Sequence, residues 1–292
     1  MKHHSKQYLD GVAVIFRTLN NEHDIGAALE SIVKNQVDQV ILVDGGSDDE
    51  TVNIAKRHID EVYVAERGLW NQQKFALSKV KYRYFIQAEA DHEYPENFVV
   101  SLLSEFKESN FFGLQATLKC IHKRNFYERG ISTYYQIHQR DKGPRDTIGG
   151  PSIYYTEQYK DRLDLKGFNG FSIDTMRAEI LKAKGLTVAL GHTLAYQNQT
   201  LNLPKFLRKY FSYGKGDYQF YQFHKKKWTK KRKFQSISHV FNRHFVDYPL
   251  KALKYRDPHI TISYLWFSGL IRYAGWMFSV FLGCIEKFKR LG

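Results

Sequence analysis

Cysteine is scarce in this chain of 292 residues: only Cys120 and Cys284 occur, far apart in the sequence. Two isolated thiols without metal-ligand spacing exclude a disulfide framework and a zinc site, and they fit a reducing cytosol. No secretory leader is expected either. The first apolar run, residues 12–16, is too short for the hydrophobic region of a signal peptide, so the chain is expected to stay in the cytoplasm. Upstream of it, His3 and His4 have no second pair of histidines to work with and read as an exposed tail. Internal repeats and low-complexity linkers are absent. Acidic residues are in deficit, 30 Asp and Glu against 44 Lys and Arg, for a formal charge of +14. Such a surplus calls for an anionic partner: nucleic acid, an anionic membrane surface or a phosphorylated substrate.

What is present is the composition of an ordered protein, 43% hydrophobic with 20 Tyr and 21 Phe. Domains usually run ~100 to 200 residues, so one catalytic domain, placed at 1–200, is expected to carry an appendage at 201–292. In the first half, residues 12–16, 40–43, 62–65 and 84–88 are predicted strands. Between them Ile25, Leu29, Ile32 and Val33 recur at helical spacing, and 51–57 and 72–78 are predicted helices. The alternation argues for an α/β fold with a parallel sheet covered by helices on both faces. Ligands bind beyond the carboxyl ends of such strands, where Thr18, residues 44–49, Glu66, Arg67 and residues 89–91 fall. Pro95 is predicted to open a helix with Phe98, Leu102, Leu103 and Phe106 on one face. Farther on, 112–121 reads as a strand, 142–151 as a loop, and 174–184 as a helix stopped by Gly185.

Two strand ends carry chemistry. In YFIQAEAD, Glu89 and Asp91 stand one residue apart after an apolar strand. On a tight turn this pair can offer oxygens to Mg²⁺ or Mn²⁺, which completes its shell with phosphate oxygens. An acidic surface turn is the plain alternative. In VDGGSDDET, residues 43–51, glycines let the backbone approach a ligand, and Asp44 can accept hydrogen bonds from a ribose or base N–H. Ser47 or Asp48 is also expected to cap the helix near Thr51.

Taken in order, TLNNE (18–22), LVDGGSDDET (42–51), RGLWNQQKFAL (67–77), FIQAEAD (85–91), GFNGFSIDTMRAEILKAKG (167–185) and FLRKYFSYGKGD (206–217) resemble the family 2 glycosyltransferases. The resemblance covers roughly residues 10–220. It implies the GT-A fold and an inverting transfer from a nucleotide-sugar donor to a glycan or lipid-linked acceptor in cell-surface polysaccharide assembly. By position it puts Thr18 and Asp44 around the base, and Glu89 and Asp91 at the metal and donor diphosphate, with Asp91 the direct ligand to Mg²⁺ or Mn²⁺. It makes Asp174 the catalytic base; Arg67 or Lys74 would neutralise further diphosphate charge. The sequence departs from the family pattern in three places: Gly45 replaces the second acid after Asp44, Glu89 replaces the first Asp of the pair, and Ile173 stands where an acid usually precedes the base. Helix capping is the alternative role for Asp174. At the level of function the alternatives are a nucleotidyltransferase on a similar scaffold and a non-enzymatic, membrane-bound nucleotide-binding protein.

After residue 200 aromatics and lysines accumulate, 225–233 read KKKWTKKRK, and 260–285 are nearly continuously apolar around Arg272. The basic run could contact phosphates with Trp228 stacking on bases, but no nucleic-acid-binding fold accompanies it, which disfavours nucleic acid. Trp266, Tyr273 and Trp276 favour an anionic membrane surface instead, on the cytoplasmic face of an inner or plasma membrane. Arg272 at mid-span would cost about 2.5 to 3.5 kcal/mol in a bilayer, and Gly269, Gly275 and Gly283 weaken a straight helix. Helices lying in or dipping into one leaflet are therefore expected, not a span. The Gln-x-x-Arg-Trp motif and several spans of processive synthases are absent, so the resemblance is to transferases adding one sugar per encounter.

Overall fold

The computed structural model describes residues 8–165, 168, 172–198 and 200–289. His3, His4 and, within the 167–185 motif, Gly167, Asn169, Gly170 and Phe171 lie outside the described residues. The described residues of Met1–Lys119, Asp141–Asn169 and Ile173–Gln199 form one compact unit; those of Cys120–Arg140, Gly170–Ser172 and Thr200–Gly292 form a second.

The first unit is an α/β sheet protein. In chain order it holds β1 (Leu9–Thr18), α1 (Ile25–Val33), β2 (Gln39–Asp44), α2 (Thr51–Ala55), β3 (Glu61–Val64), α3 (Leu69–Lys79), β4 (Tyr82–Ala88), β5 (His92–Glu93), α4 (Phe98–Lys107) and β6 (Gly113–Cys120). After α5 (Phe126–His138), which belongs to the second unit, come β7 (Gly143–Arg145), β8 (Ser152–Tyr155), α6 (Thr156–Arg162), α7 (Ile173–Ala183) and β9 (Val188–Gln197). The sheet runs β3-β2-β1-β4-β8-β6-β9-β5, with β7 paired to β9. Its centre is apolar on both faces: Ala13 to Phe16 in β1 and Phe85 and Ile86 in β4 are fully buried, as a strand covered by helices requires.

Strands β1 to β4 are mutually parallel, but β8 runs antiparallel to β4 and β6 antiparallel to β8, so the sheet is mixed, not wholly parallel. Register aligns the functional edge. Thr18 pairs with Asp44, Phe16 with Ala88, and Gln87 with Ser152. The ends of β1, β2 and β4 thus share one edge, and the reversed β8 brings the segment just before it, Gly149 to Pro151, back to that edge beside Glu89.

Local start signals differ from expectation at two helices. Helix α4 begins at Phe98, three residues after Pro95, whose carbonyl accepts the Phe98 N–H in a turn at 2.9 Å. Helix α2 is not capped by Ser47 or Asp48. Its N-cap position is Glu50, which makes no side-chain cap; one residue earlier, Asp49 Oδ1 accepts from Thr51 N (3.0 Å) and Thr51 Oγ1 (2.5 Å), while Ser47 is turned back to Asp44.

The second unit is helical: α5, α8 (Leu203–His224), α9 (Lys230–Phe241), a π-helical stretch Asn242–Asp247, α10 (Tyr248–Ala252) and α11 (Pro258–Lys289). Its core gathers Ile131, Leu201, Phe206, Tyr210 and Tyr264. The apolar C-terminal run is one continuous helix of 32 residues, so its glycines do not break it. They let α11 pack closely: a Cβ on Gly275 would strike the Phe211 carbonyl oxygen of α8, and one on Gly214 would strike the Arg272 carbonyl oxygen. Arg272 is no isolated charge either. Its Nε and Nη2 form a fork on the Asp217 carboxylate at 2.5 and 2.8 Å. Trp228 is used internally, stacked on His224 with ring centroids 5.1 Å apart and covered by Arg232 at 4.3 Å. Among the described residues one helical segment, Pro258–Ile285, is long and apolar enough to cross a membrane.

Candidate active site

Three loops follow β1, β2 and β4 at the shared edge, and buried amides knit them together. Gln72 of α3 is the central tie: its Nε2 donates to Thr18 O (2.8 Å) and Val43 O (2.9 Å), clamping the ends of β1 and β2. Gly45 lies against the same side chain, where a Cβ would press on the Gln72 amide. Thr18 is buried and accepts from Asn21 Nδ2 at 3.0 Å. Asp44 is wholly buried. Its Oδ1 accepts from Gly46 N (2.8 Å) and Ser47 N (2.6 Å), and its Oδ2 accepts from Ser47 Oγ (2.5 Å). In this conformation Asp44 shapes the loop that follows β2, with Gly46 at φ 85° supplying the left-handed turn. Arg67, two residues before α3, and Lys74, within it, are exposed side chains.

Beyond β4 the acids gather. The Glu89 backbone is pinned by Tyr94, whose hydroxyl accepts from Glu89 N (2.9 Å) and donates to Glu89 O (3.0 Å). The Glu89 carboxylate meets Arg17 Nη2 at 3.5 Å and accepts from Gln87 Nε2 at 3.2 Å. Burial pushes the Glu89 carboxyl up to about 6. Arg17 opposes the rise, and the charges of Asp91 and Asp174 add to it. Asp91 faces His92 Nδ1 at 3.2 Å and accepts from Gln197 Nε2 at 3.4 Å, with its carbonyl held by Asn198 N at 2.9 Å. The end of β9 therefore fixes the acid turn.

Asp174 arrives from α7. That helix starts at Ile173, so Asp174 sits inside the first turn and not at the N-cap, and its carboxylate engages Arg177 Nη2 at 2.7 Å. Arg177 is itself buried and also donates to Ile148 O (2.6 Å) and Gln87 Oε1 (3.3 Å). A continuous polar chain thus runs Arg17, Glu89, Gln87, Arg177, Asp174. Between its two carboxylates passes the Gly149-Gly150 backbone: a Cβ on Gly150 would collide with Glu89, and one on Gly149 would lie 3.6 Å from Asp174 Oδ2. Only glycine at 150 lets the chain pass this close. The structure therefore brings Asp91 and Asp174 each within electrostatic reach of Glu89, and places Thr18 and Asp44 at the ends of the adjoining strands β1 and β2.

Several members of this assembly escape a sequence reading. Arg17 and Gln87 are polar residues inside apolar strands, and Arg177 stands one helical turn after Asp174; those anomalies were the available signals. Gly149 and Gly150 offered only an unremarkable loop.

For a divalent cation the donor set is two carboxylates one residue apart, Glu89 and Asp91, both partly open to solvent with 31% and 21% of their side chains exposed. Among the described residues no cluster of three or more His, Cys, Asp or Glu could enclose a metal. Two hard oxygen ligands suit Mg²⁺ or Mn²⁺, ions that keep waters and take phosphate oxygens to complete their shell.

Residues 13–184, more than half of the chain, match the family described as Glycosyl transferase family 2, and the chain belongs to that family. No curated protein matches it. Among solved structures it is similar to S. aureus TarS, with a TM-score of 0.53 and 15% identity over 90% of this chain and 54% of TarS. The chain thus spans about half the length of that protein. Against TarS residues 1–349 the TM-score is 0.51 at 16% identity, covering 91% of this chain and 89% of that one. Glucosyl-3-phosphoglycerate synthase from Mycobacterium tuberculosis, solved with Mg²⁺ and uridine diphosphate, is similar at TM-score 0.49 and 14% identity, over 66% of this chain and 73% of that one. The family match makes the chain a glycosyltransferase of family 2, and the likeness to TarS shows the GT-A fold.

Proposed function

We propose that this glycosyltransferase moves a sugar, with inversion, from a nucleotide-sugar donor to a hydroxyl of a glycan or lipid-linked acceptor in cell-surface polysaccharide assembly. One observation carries the reading: Glu89 and Asp174 lie on either side of the Gly149-Gly150 strap at the carboxyl edge of the sheet, with Asp91 two residues from Glu89 on the same turn. Thr18 and the loop organised by Asp44 form the base side, and the exposed cations Arg67 and Lys74 counter diphosphate charge. Glu89 and Asp91 would hold Mg²⁺ or Mn²⁺, Asp91 as the direct ligand, and the ion when bound supplies Lewis-acid stabilisation of the departing diphosphate. Asp174, oriented by Arg177, accepts the acceptor's proton as the hydroxyl attacks the anomeric carbon in line. The test is a thermal-shift titration of nucleotide sugars with and without Mn²⁺, in the wild type and in Asp91→Asn. A neutral amide is a poor ligand for a hard cation, so the Mn²⁺-dependent shift should vanish. An unchanged shift in the variant removes the metal assignment.

The same reading puts the second unit on an anionic leaflet at the cytoplasmic face of the membrane. Support comes from its surface: Phe234 (71% exposed), Phe241, Leu250, Leu253, Leu270, Met277 and Phe281 are exposed, and the same unit carries the 225–233 cationic run. Apolar side chains there would sit among acyl chains while lysines meet headgroups. Phe234→Ser with Phe241→Ser should weaken binding to anionic liposomes at high salt, where screening has removed the lysine contribution. Full release of the wild-type protein by salt alone would refute this placement.

A further inference from the structure

The helical unit contains a cavity of about 470 Å³ that the transfer reading leaves unused. Its walls come from α5 and the segment before it, which supply Lys123, Arg129 and Thr133, from the turn leading into α11, which supplies Arg256 and Asp257, and from the first turn of α11, which supplies Thr261. Three cations therefore border the cavity against a single carboxylate, with Arg256, whose side chain is 97% exposed, at the mouth. Asp257 does not silence them: the same oxygen, Oδ2, serves Arg129 Nη2 at 2.5 Å and Arg256 Nε at 3.9 Å. An arginine presents five N–H donors and a lysine three, so a carboxylate that offers one oxygen leaves most of this donor capacity for another acceptor. A tetrahedral oxyanion, with several acceptor oxygens and negative charge, is the complement of such a set. The size matters as well. Small-molecule sites run ~300 to 1,000 Å³, so this volume suits more than a bare ion, and hydroxyls of Thr133 and Thr261 on its wall suit a polyol.

We propose that this cavity binds a phosphate-bearing group of sugar-phosphate size, held by Lys123, Arg129 and Arg256. The inference goes beyond the transfer reading and stands without it, because binding here needs neither turnover nor the carboxylates of the first unit. The chemistry has two sources, a phosphorylated glycan or a phospholipid headgroup, and the test separates them.

Glucose 1-phosphate is titrated into the full chain by calorimetry, with glucose as the uncharged control, in wild type, Lys123→Gln with Arg256→Gln, and Asp91→Asn. Both glutamine substitutions are at exposed side chains, so the fold is kept; near-ultraviolet circular dichroism checks it. Expected is binding of the phosphate and not of glucose, a loss of about tenfold or more in the double glutamine variant, and full retention in Asp91→Asn. Arg129→Gln should lose at least as much, and its ion pair to Asp257 makes it the second choice of variant. Competition by phosphatidic acid vesicles, absent with phosphatidylcholine vesicles, assigns the site to headgroups; no competition assigns it to a soluble or glycan phosphate. Equal affinity in wild type and the double variant overturns the proposal. So does loss of binding in Asp91→Asn, which would put the phosphate in the donor site of the first unit.

Discussion

Glu89→Gln measures what the acid cluster costs the fold. The Glu89 carboxyl is pushed from an ordinary 4.5 to about 6 by burial and by the charges of Asp91 and Asp174. Because the folded, metal-free protein holds this proton more tightly than the unfolded chain, the group's contribution to stability is fully present below about pH 4.5. It is lost as pH rises through about 6. A rise of that size corresponds to about 2 kcal/mol. With 31% of the side chain still accessible, solvent screening reduces this to about 1 kcal/mol. Glutamine mimics the protonated form at every pH. The variant should therefore match wild type near pH 4.5 and exceed it by about 1 kcal/mol near pH 7.5; on the proposed metal assignment it should also lose any Mn²⁺-dependent stabilisation by a nucleoside diphosphate such as uridine diphosphate. Urea unfolding of chelator-treated protein across that range gives the first number, and thermal shift with Mn²⁺ and uridine diphosphate gives the second. A glutamine variant that is less stable than wild type near pH 7.5, or that keeps the wild-type pH dependence, refutes the argument. It would mean that the Arg17 contact, at 3.5 Å, outweighs the cost of burying the carboxylate.

Asp174→Asn should cut turnover by ~10² to 10⁴ with donor affinity nearly intact, since the amide oxygen still accepts from Arg177 but no longer takes a proton; a rate close to wild type would make Asp174 a structural residue. Gly275→Leu should lower the urea midpoint of the helical unit, followed by circular dichroism, with about 1 to 3 kcal/mol or more lost, because the new side chain would start on the Phe211 carbonyl oxygen. An unaltered midpoint would show that α8 and α11 can move apart freely.

The strands β1 to β4 were legible because each is a short apolar run with a period the eye can follow, and strand ends in an α/β sheet point to one edge. Thr18, Asp44, Glu89 and Asp91 could be placed there from sequence alone. The reversed β8 could not. Its residues 152–155, SIYY, carry no mark of direction, and pairing between Gln87 and Ser152 is a long-range register that no local pattern encodes. With β8 went Gly149 and Gly150, whose need for glycine appears only once Glu89 and Asp174 are set on either side. In the tail, composition suggested an isolated arginine in an apolar run. Asp217 was visible only as one acid in a lysine-rich segment, and the Arg272 fork depends on α8 and α11 lying together. The expected cap of α2 by Ser47 or Asp48 fails because Ser47 is drawn back to Asp44, a contact that only the folded loop after β2 reveals.

The insertion of β8 between β4 and β6 has a consequence for synthesis. Until residues 152–155 emerge from the ribosome, β4 has a partner on one side only, β1, and its other edge exposes unpaired N–H and C=O groups flanking Phe85 and Ile86. For the interval in which some sixty residues are made, roughly several seconds at the usual elongation rate, the nascent protein carries an open apolar strand of the kind that recruits other chains. Truncations ending between β4 and β8 should therefore be insoluble even though all four parallel strands are complete, and the yield of intact protein should depend on what shields that edge while the ribosome catches up.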